Sequence, residues 1–266
     1  MLKALLRIQF LSLAGYMFKG RHRTKKRSPL VTALIALLAV YIVAVICLYF
    51  GMLFISICEP FYSMGLGWLY FSFAGLTAFA GCFITGIFIA QSQLFDAKDN
   101  ELLLSLPIPP KYILASRILT LLLLNYALTF AAAVPCAVVS FMTVKVTFTG
   151  ALNFIFAFLL LPLPAAALTC LAGWLIAEIS SRMKHKNLVS VVISVALLLA
   201  YMAVMMRMQG LLAGLAANGA MIGETVKSIF PPLYHFGAAI ANRDAASLLI
   251  FTLWALVPFA AVYFVL

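Results

Sequence analysis

Six stretches of the chain run for roughly 20 residues or more almost without a charged side chain, and this feature constrains the fold before any other. They fall approximately at 30–57, 66–90, 113–143, 152–179, 188–206 and 245–266. A helix of about 20 apolar residues spans the hydrocarbon core of a bilayer. In lipid, only helices and closed barrels satisfy their own backbone hydrogen bonds. The apolar surplus is general: 66% of the 266 residues are hydrophobic, 9% are charged, and the mean hydropathy is +1.15. No soluble core hides that much apolar surface. The expected fold is therefore all-α, a polytopic membrane protein with about six transmembrane helices.

The charges that remain are placed asymmetrically. Residues 2–18 are apolar but interrupted by Lys3, Arg7 and Gln9, which predicts an N-terminal interfacial helix rather than a span. A signal peptide is the competing reading; Arg7 and Gln9 break its apolar region, and the basic stretch after it opposes export. That stretch holds Lys19, Arg21, Arg23, Lys25, Lys26 and Arg27, suited to a cytoplasmic face and to anionic headgroups. The chain thus divides into an interfacial and basic segment, 1–28, and a transmembrane domain, 29–266. With an inside N-terminus and one crossing per span, all but Lys145, Arg207, Lys227 and Arg243 of the 18 Lys and Arg fall on the cytoplasmic side. This asymmetry predicts six crossings with both termini cytoplasmic.

Much familiar chemistry is missing from the sequence. There is no Gly-rich phosphate loop ending in Lys and Ser or Thr, no GxSxG and no HExxH, so an enzyme is not expected, nor is a cofactor within the chain. Cys47, Cys58, Cys82, Cys136 and Cys170 are scattered singly and read as apolar packing residues; no metal site is expected of them or of His22, His185 and His235. The net charge of +11 follows span ends instead of forming an aromatic-interleaved surface, which excludes nucleic acid as a partner and leaves membrane lipid. Glu59, Glu178 and Arg207 all fall at span ends, so ion coupling through a mid-membrane charge has little support. Asn125 and Asn153 are the polar residues inside or near spans, where Asn commonly bonds a neighbouring helix. Gln91, Gln93, Asn125 and Glu178 are the candidate pathway residues.

Two connections carry more information than the spans. The cytoplasmic one, 91–117, reads QSQLFDAKDNELLLSLPIPPKYILASR, with acids, a leucine run and three prolines that suit a short helix stopped by proline. The external one, 209–244, is glycine-rich early and carries Pro231 and Pro232, composition compatible with a segment that re-enters the membrane or lies on it.

The stretch LFDAKDNELLLSLPIPPKYILASRIL, 94–119, resembles the permease subunits of ABC exporters of the type-2 superfamily. The resemblance rests on Asp99, Glu101, Leu102, Leu103, Leu104, Ser105, Leu106, Pro107 and Ile108, followed by Ala115, Ser116 and Arg117. The segment IFPPLYHFGAAIANRD, 229–244, is similar, more loosely, to the external element before the last span of such permeases. The resemblance implies a coupling helix between spans 2 and 3 that docks on a separate cytosolic ABC ATPase, which binds the ATP and Mg. The coupling residues it implies are Asp96, Lys98, Asp99, Glu101, Leu102, Leu103, Pro107, Pro109, Pro110, Lys111 and Arg117. A plain solvated connection in which Asp99 and Glu101 cap a leucine helix remains the alternative reading. Permeases of this kind are often longer, so a half-sized permease or a truncated product is expected, acting as a homodimer or with a second permease half. The implied location is the bacterial plasma membrane. A non-transporting assembly or anchoring protein and an ion-coupled secondary transporter are the rival functions.

Overall fold

The computed structural model describes residues 29–90, 109–144, 147–181, 223–224, 226–228 and 230–265, with isolated positions between 195 and 206. These residues form α1 (Pro29–Ser63), α2 (Gly67–Ala90), α3 (Pro110–Thr143), α4 (Phe148–Leu160), α5 (Pro162–Ser181), α6 (Pro231–Ala241) and α7 (Ala245–Val265). Five stretches are long and apolar enough to cross a membrane: Ala33–Ser63, Gly67–Ile87, Tyr112–Thr143, Phe148–Ile176 and Ala245–Val262. This is the architecture of a multi-pass membrane protein. The expected crossing at 188–206 falls mostly outside the described residues. The interfacial helix of 1–28 and the coupling helix expected in 91–108 lie outside them too.

Local chemistry sets the helix ends. α1 runs past the expected end at 57, through Glu59 and Pro60, to Ser63. It then stops at Gly65, whose φ of 72° is a left-handed conformation open to glycine. The Gly65 amide donates to the Tyr62 carbonyl at 3.1 Å and the Leu66 amide to Phe61 at 2.8 Å, the paired bonds of a Schellman cap. Leu66 packs into the cluster that holds Phe61, which supplies the apolar contact of that cap. The expected span 152–179 is two helices, α4 and α5, meeting at Leu161. Pro162 and Pro164 remove two ladder donors there, and the Tyr126 hydroxyl donates to the Leu159 carbonyl at 3.0 Å beside the break.

α2 forms the centre of the bundle, packing against α1, α3, α5 and α6. Its most apolar 18-residue window is 61% buried, against 0% for that of α1. The N-terminal half of α1 therefore stands clear of the packed bundle, with Leu30, Leu34, Leu37, Val40, Tyr41 and Leu48 all exposed. Aromatic rings link the elements. Phe54 meets Tyr70, Tyr70 meets Phe71, Phe71 meets Phe154, and Phe154 meets Phe158, with centroid separations from 4.4 to 6.1 Å. Phe158 then meets Phe236 at 5.2 Å, and Phe236 meets Phe251 at 5.1 Å, both edge to face. Such pairs contribute roughly 0.5–1.5 kcal/mol each beyond their buried area.

The segment before α7 places α6 inside the bundle, between α2, α4 and α7. Phe236 contacts Phe158 and Phe251, and its ring occupies the space that a side chain at Gly75 would need. Counting from the first residues of α2, α4 and α7 at 1.5 Å per residue, these contacts lie roughly 9–15 Å inside the spans. Gly223 approaches Leu66 and Trp68, and α6 leads into Asn242 and the start of α7, so the segment enters and leaves at one end of the bundle. The approach depends on Gly237: a Cβ there would collide with the Trp68 carbonyl and the Ser72 Oγ. Gly237→Ala is expected to lower stability by roughly 1–3 kcal/mol by overpacking, read as a fall in the thermal unfolding midpoint in detergent, whereas Gly81→Ala, which meets open space, leaves it unchanged.

Candidate functional site

α3 carries a buried polar stripe. Ser116, Arg117, Thr120, Asn125, Thr129 and Ser140 are each 6% exposed or less. Arg117, Leu121, Asn125 and Thr129 follow one another at intervals of four, so they lie along one face of the helix. The antiparallel register against α2 is fixed by Tyr70, whose hydroxyl donates to the Cys136 carbonyl at 3.1 Å, and by Cys82, whose thiol donates to the Asn125 carbonyl at 3.3 Å. Cys82 Sγ also lies 3.3 Å from Thr129 Oγ1. α5 closes the third side: a side chain on Gly86 would strike Thr169, so α2 and α5 touch nearly backbone to side chain. α2 thus packs on α3 beside Asn125 and, one turn further along at Gly86, on α5.

The hydroxyl residues of this region satisfy themselves. Ser116 donates to the Ile113 carbonyl at 2.7 Å, Thr120 to Ser116 at 2.9 Å, Thr169 to Ala166 at 2.8 Å and Thr77 to Ala74 at 2.9 Å. A Ser or Thr reaches back one turn along its own helix, which neutralises its polarity in an apolar setting. Asn125 differs. Its side chain is fully buried, and neither Oδ1 nor Nδ2 has a hydrogen-bond partner. A buried amide without partners costs roughly 2–7 kcal/mol. Counted along α3, Asn125 is roughly 22 Å from Pro110 and 27 Å from Thr143, close to the middle of the helix.

The second polar cluster is at the end of the bundle that holds α6. The last carbonyls of a helix have no partner within it, and Asn153 Nδ2 donates to one of these, the Ala239 carbonyl, at 2.7 Å. Asn153 thus bonds a neighbouring helix, as its residue type foretold. The Ser72 hydroxyl lies 2.8 Å from the Leu233 carbonyl and 3.0 Å from that of Trp68. Asp244 caps α7, accepting from the Ala246 amide at 3.1 Å and the Ser247 hydroxyl at 2.7 Å; the Ser247 hydroxyl and this amide hold its carboxyl below the usual range. His235 Nδ1 lies 3.2 Å from Ser247 Oγ, and Lys227 Nζ sits 5.1 Å from the centroid of the Tyr234 ring, which in turn packs on Trp68. The Asp-x-x-Ser spacing before an apolar run signals such a cap; the His235 contact leaves no signal in sequence, since it depends on α6 folding back along α7.

Of the sequence-derived site residues, Gln91, Gln93, Asp96, Lys98, Asp99, Glu101, Leu102, Leu103 and Pro107 lie outside the described residues. Pro109 stands immediately before α3 and Pro110 opens it, the place where proline fits a helix start. Lys111 follows in the first turn of α3. Arg117 is 6% exposed and already engaged in interactions of its own, so it faces the bundle interior rather than a partner surface. Glu178 is exposed near the end of α5 and is also engaged. Arg117 and Asn125 share one face of α3, roughly 12 Å apart along its axis. Among the described residues, no group of His, Cys, Asp and Glu is arranged to hold a metal ion.

No family model, no curated protein and no solved structure matches this chain. Asn153→Leu is expected to leave the Ala239 carbonyl buried without its donor and to cost roughly 1–3 kcal/mol, measured as a lower unfolding midpoint. Asn153→Gln, which can still donate, loses less.

Proposed function

We propose that this chain is the permease subunit of an ATP-driven exporter, its spans forming the substrate path and a separate cytosolic ABC ATPase supplying the energy. The observation that carries this reading is the stretch 94–119, whose acidic, leucine-rich and proline-stiffened sequence resembles the coupling segment of type-2 exporter permeases. The geometry of α3 suits that role. Pro109 and Pro110 restrict the backbone at its start, and one continuous helix then reaches past Arg117 to Asn125. A displacement applied at 96–111 would be carried along this helix roughly 22 Å toward the centre of the bundle. Asp96, Lys98, Asp99, Glu101, Leu102, Leu103, Pro107 and Lys111 form the partner contact in this reading. Arg117, the last of the coupling residues the resemblance implies, is buried in the same helix.

The ATPase partner binds the ATP and Mg, while this chain contributes no catalytic group. Gln91, Gln93 and Glu178 line the cytoplasmic approach and Asn125 the middle of the path, which opens alternately to either side. Two copies, or this chain and a second permease half, complete it. Six crossings with both termini inside would place 94–119 where nucleotide is available, in the plasma membrane of a bacterium.

The test uses the full chain, affinity-tagged and extracted from its native membrane in mild detergent. Mg-dependent ATP hydrolysis is expected to co-purify with it. The doubly reversed variant Asp99→Lys, Glu101→Lys should insert normally yet lose that activity on the order of 10-fold or more, the loss of about 1.4 kcal/mol of docking energy. An eluate without ATPase activity, or a reversed variant that retains all of it, would contradict the proposal. Substrate movement that survives ATP depletion but stops when the proton gradient is collapsed would favour an ion-coupled carrier instead.

A further inference from the structure

Whatever its place along the proposed path, the buried Asn125 carboxamide is a polar group that the packing leaves without partners. It lies on α3 where Cys82 of α2 reaches its backbone carbonyl, fully inaccessible, with both its donor and its acceptor atom lacking a protein partner. The neighbouring hydroxyls turn back onto their own helices, so they leave the amide to be satisfied by something else. Two features restrict what that is. The group to be satisfied offers donor and acceptor together, which an ion or an acyl chain cannot match and a hydroxyl can. Asn125 itself has no exposed surface, so the occupant is enclosed with it and small, of the size of a water molecule.

We infer that Asn125 marks an internal hydration site: a single ordered water, hydrogen-bonded to the carboxamide near the middle of the membrane. Cys82 and Thr129 close the site on the side of α2. The Cys82 thiol already reaches both the Asn125 carbonyl and Thr129 Oγ1, so an adjacent water completes a small polar cluster in an otherwise apolar packing layer. The inference is independent of the permease reading. It concerns how packed helices tolerate an amide in hydrocarbon, whatever the bundle transports or anchors.

Cys82 supplies its own reporter. Ionising X-rays generate hydroxyl radicals from water bound inside a protein, and a thiol beside that water is oxidised while a dry thiol is spared. Cys136 and Cys170 are equally buried, at 0% and 2% exposure, and serve as dry controls in the same molecule. In the full chain reconstituted in lipid nanodiscs, dose-dependent oxidation read by mass spectrometry is expected to be several-fold faster at Cys82 than at Cys136 and Cys170. Asn125→Leu should bring the Cys82 rate down to theirs. Equal rates at the three thiols in the unsubstituted protein would overturn the site, and so would an undiminished Cys82 rate in a folded Asn125→Leu. Because the comparison within the unsubstituted chain decides the matter alone, a variant that fails to fold does not protect the inference.

Discussion

Every feature of this structure follows from one constraint: a peptide group inside hydrocarbon has no water to bond, so the chain must satisfy it internally. Helices do this along most of the described sequence. The informative places are those where the ladder fails. At Pro162 and Pro164 the break between α4 and α5 is accompanied by a hydroxyl, that of Tyr126, donating to the Leu159 carbonyl. At the end of α6 the donor is Asn153, reaching the Ala239 carbonyl from another helix. At the start of α7 it is Asp244 that accepts the orphan amide of Ala246. At these three places a polar side chain sits where the backbone needs it.

The same constraint explains why α6 can sit among the spans. A short helix leaves a large share of its polar groups unbonded at its ends, so it can be buried only where its neighbours supply partners. Asn153 does so at the Ala239 carbonyl, Ser72 adds a bond to the Leu233 carbonyl, and Gly75 and Gly237 let the helix come close enough for those bonds to form. The edge-to-face contacts of Phe236 with Phe158 and Phe251 then fix its depth. Packing and hydrogen bonding are not separable here. Removing the small residue forfeits the polar contact, and removing the polar contact exposes a carbonyl to an apolar layer.

Much of the bundle is legible in the sequence because the span signal depends on length and apolar content alone. The runs at 66–90, 113–143 and 245–266 correspond closely to α2, α3 and α7. Ends set by single residues are less legible. Glu59 and Pro60 look like terminators, yet α1 continues past them to the left-handed Gly65. Pro162 and Pro164 carry the break within 152–179, but proline is common inside membrane helices and does not by itself announce one. Sequence alone does not separate the buried course of α6 from a surface position, since PPLYHFGAAIA becomes buried only through partners distant in sequence. The coupling residues from Asp96 to Pro107 belong to a segment outside the described residues, and the structure begins again at Pro109 and the start of α3. Asn125 is recognisable in sequence as a polar residue in a span; that both its atoms lack partners is a property of the packed junction.

These observations combine into a membrane bundle with distinct ends. α6 and the Asp244 cap occupy one end, and the connection between α2 and α3 leaves from the other, because α2 runs the length of the bundle between them. The decisive measurement is labelling of single cysteines placed at Asn242 and at Lys98, each in a chain whose five native cysteines are replaced by serine or alanine, in sealed right-side-out vesicles with a membrane-impermeant maleimide. Position 242 is expected to react in intact vesicles, and position 98 only after the vesicles are opened. Labelling of both positions from the same side would contradict this arrangement.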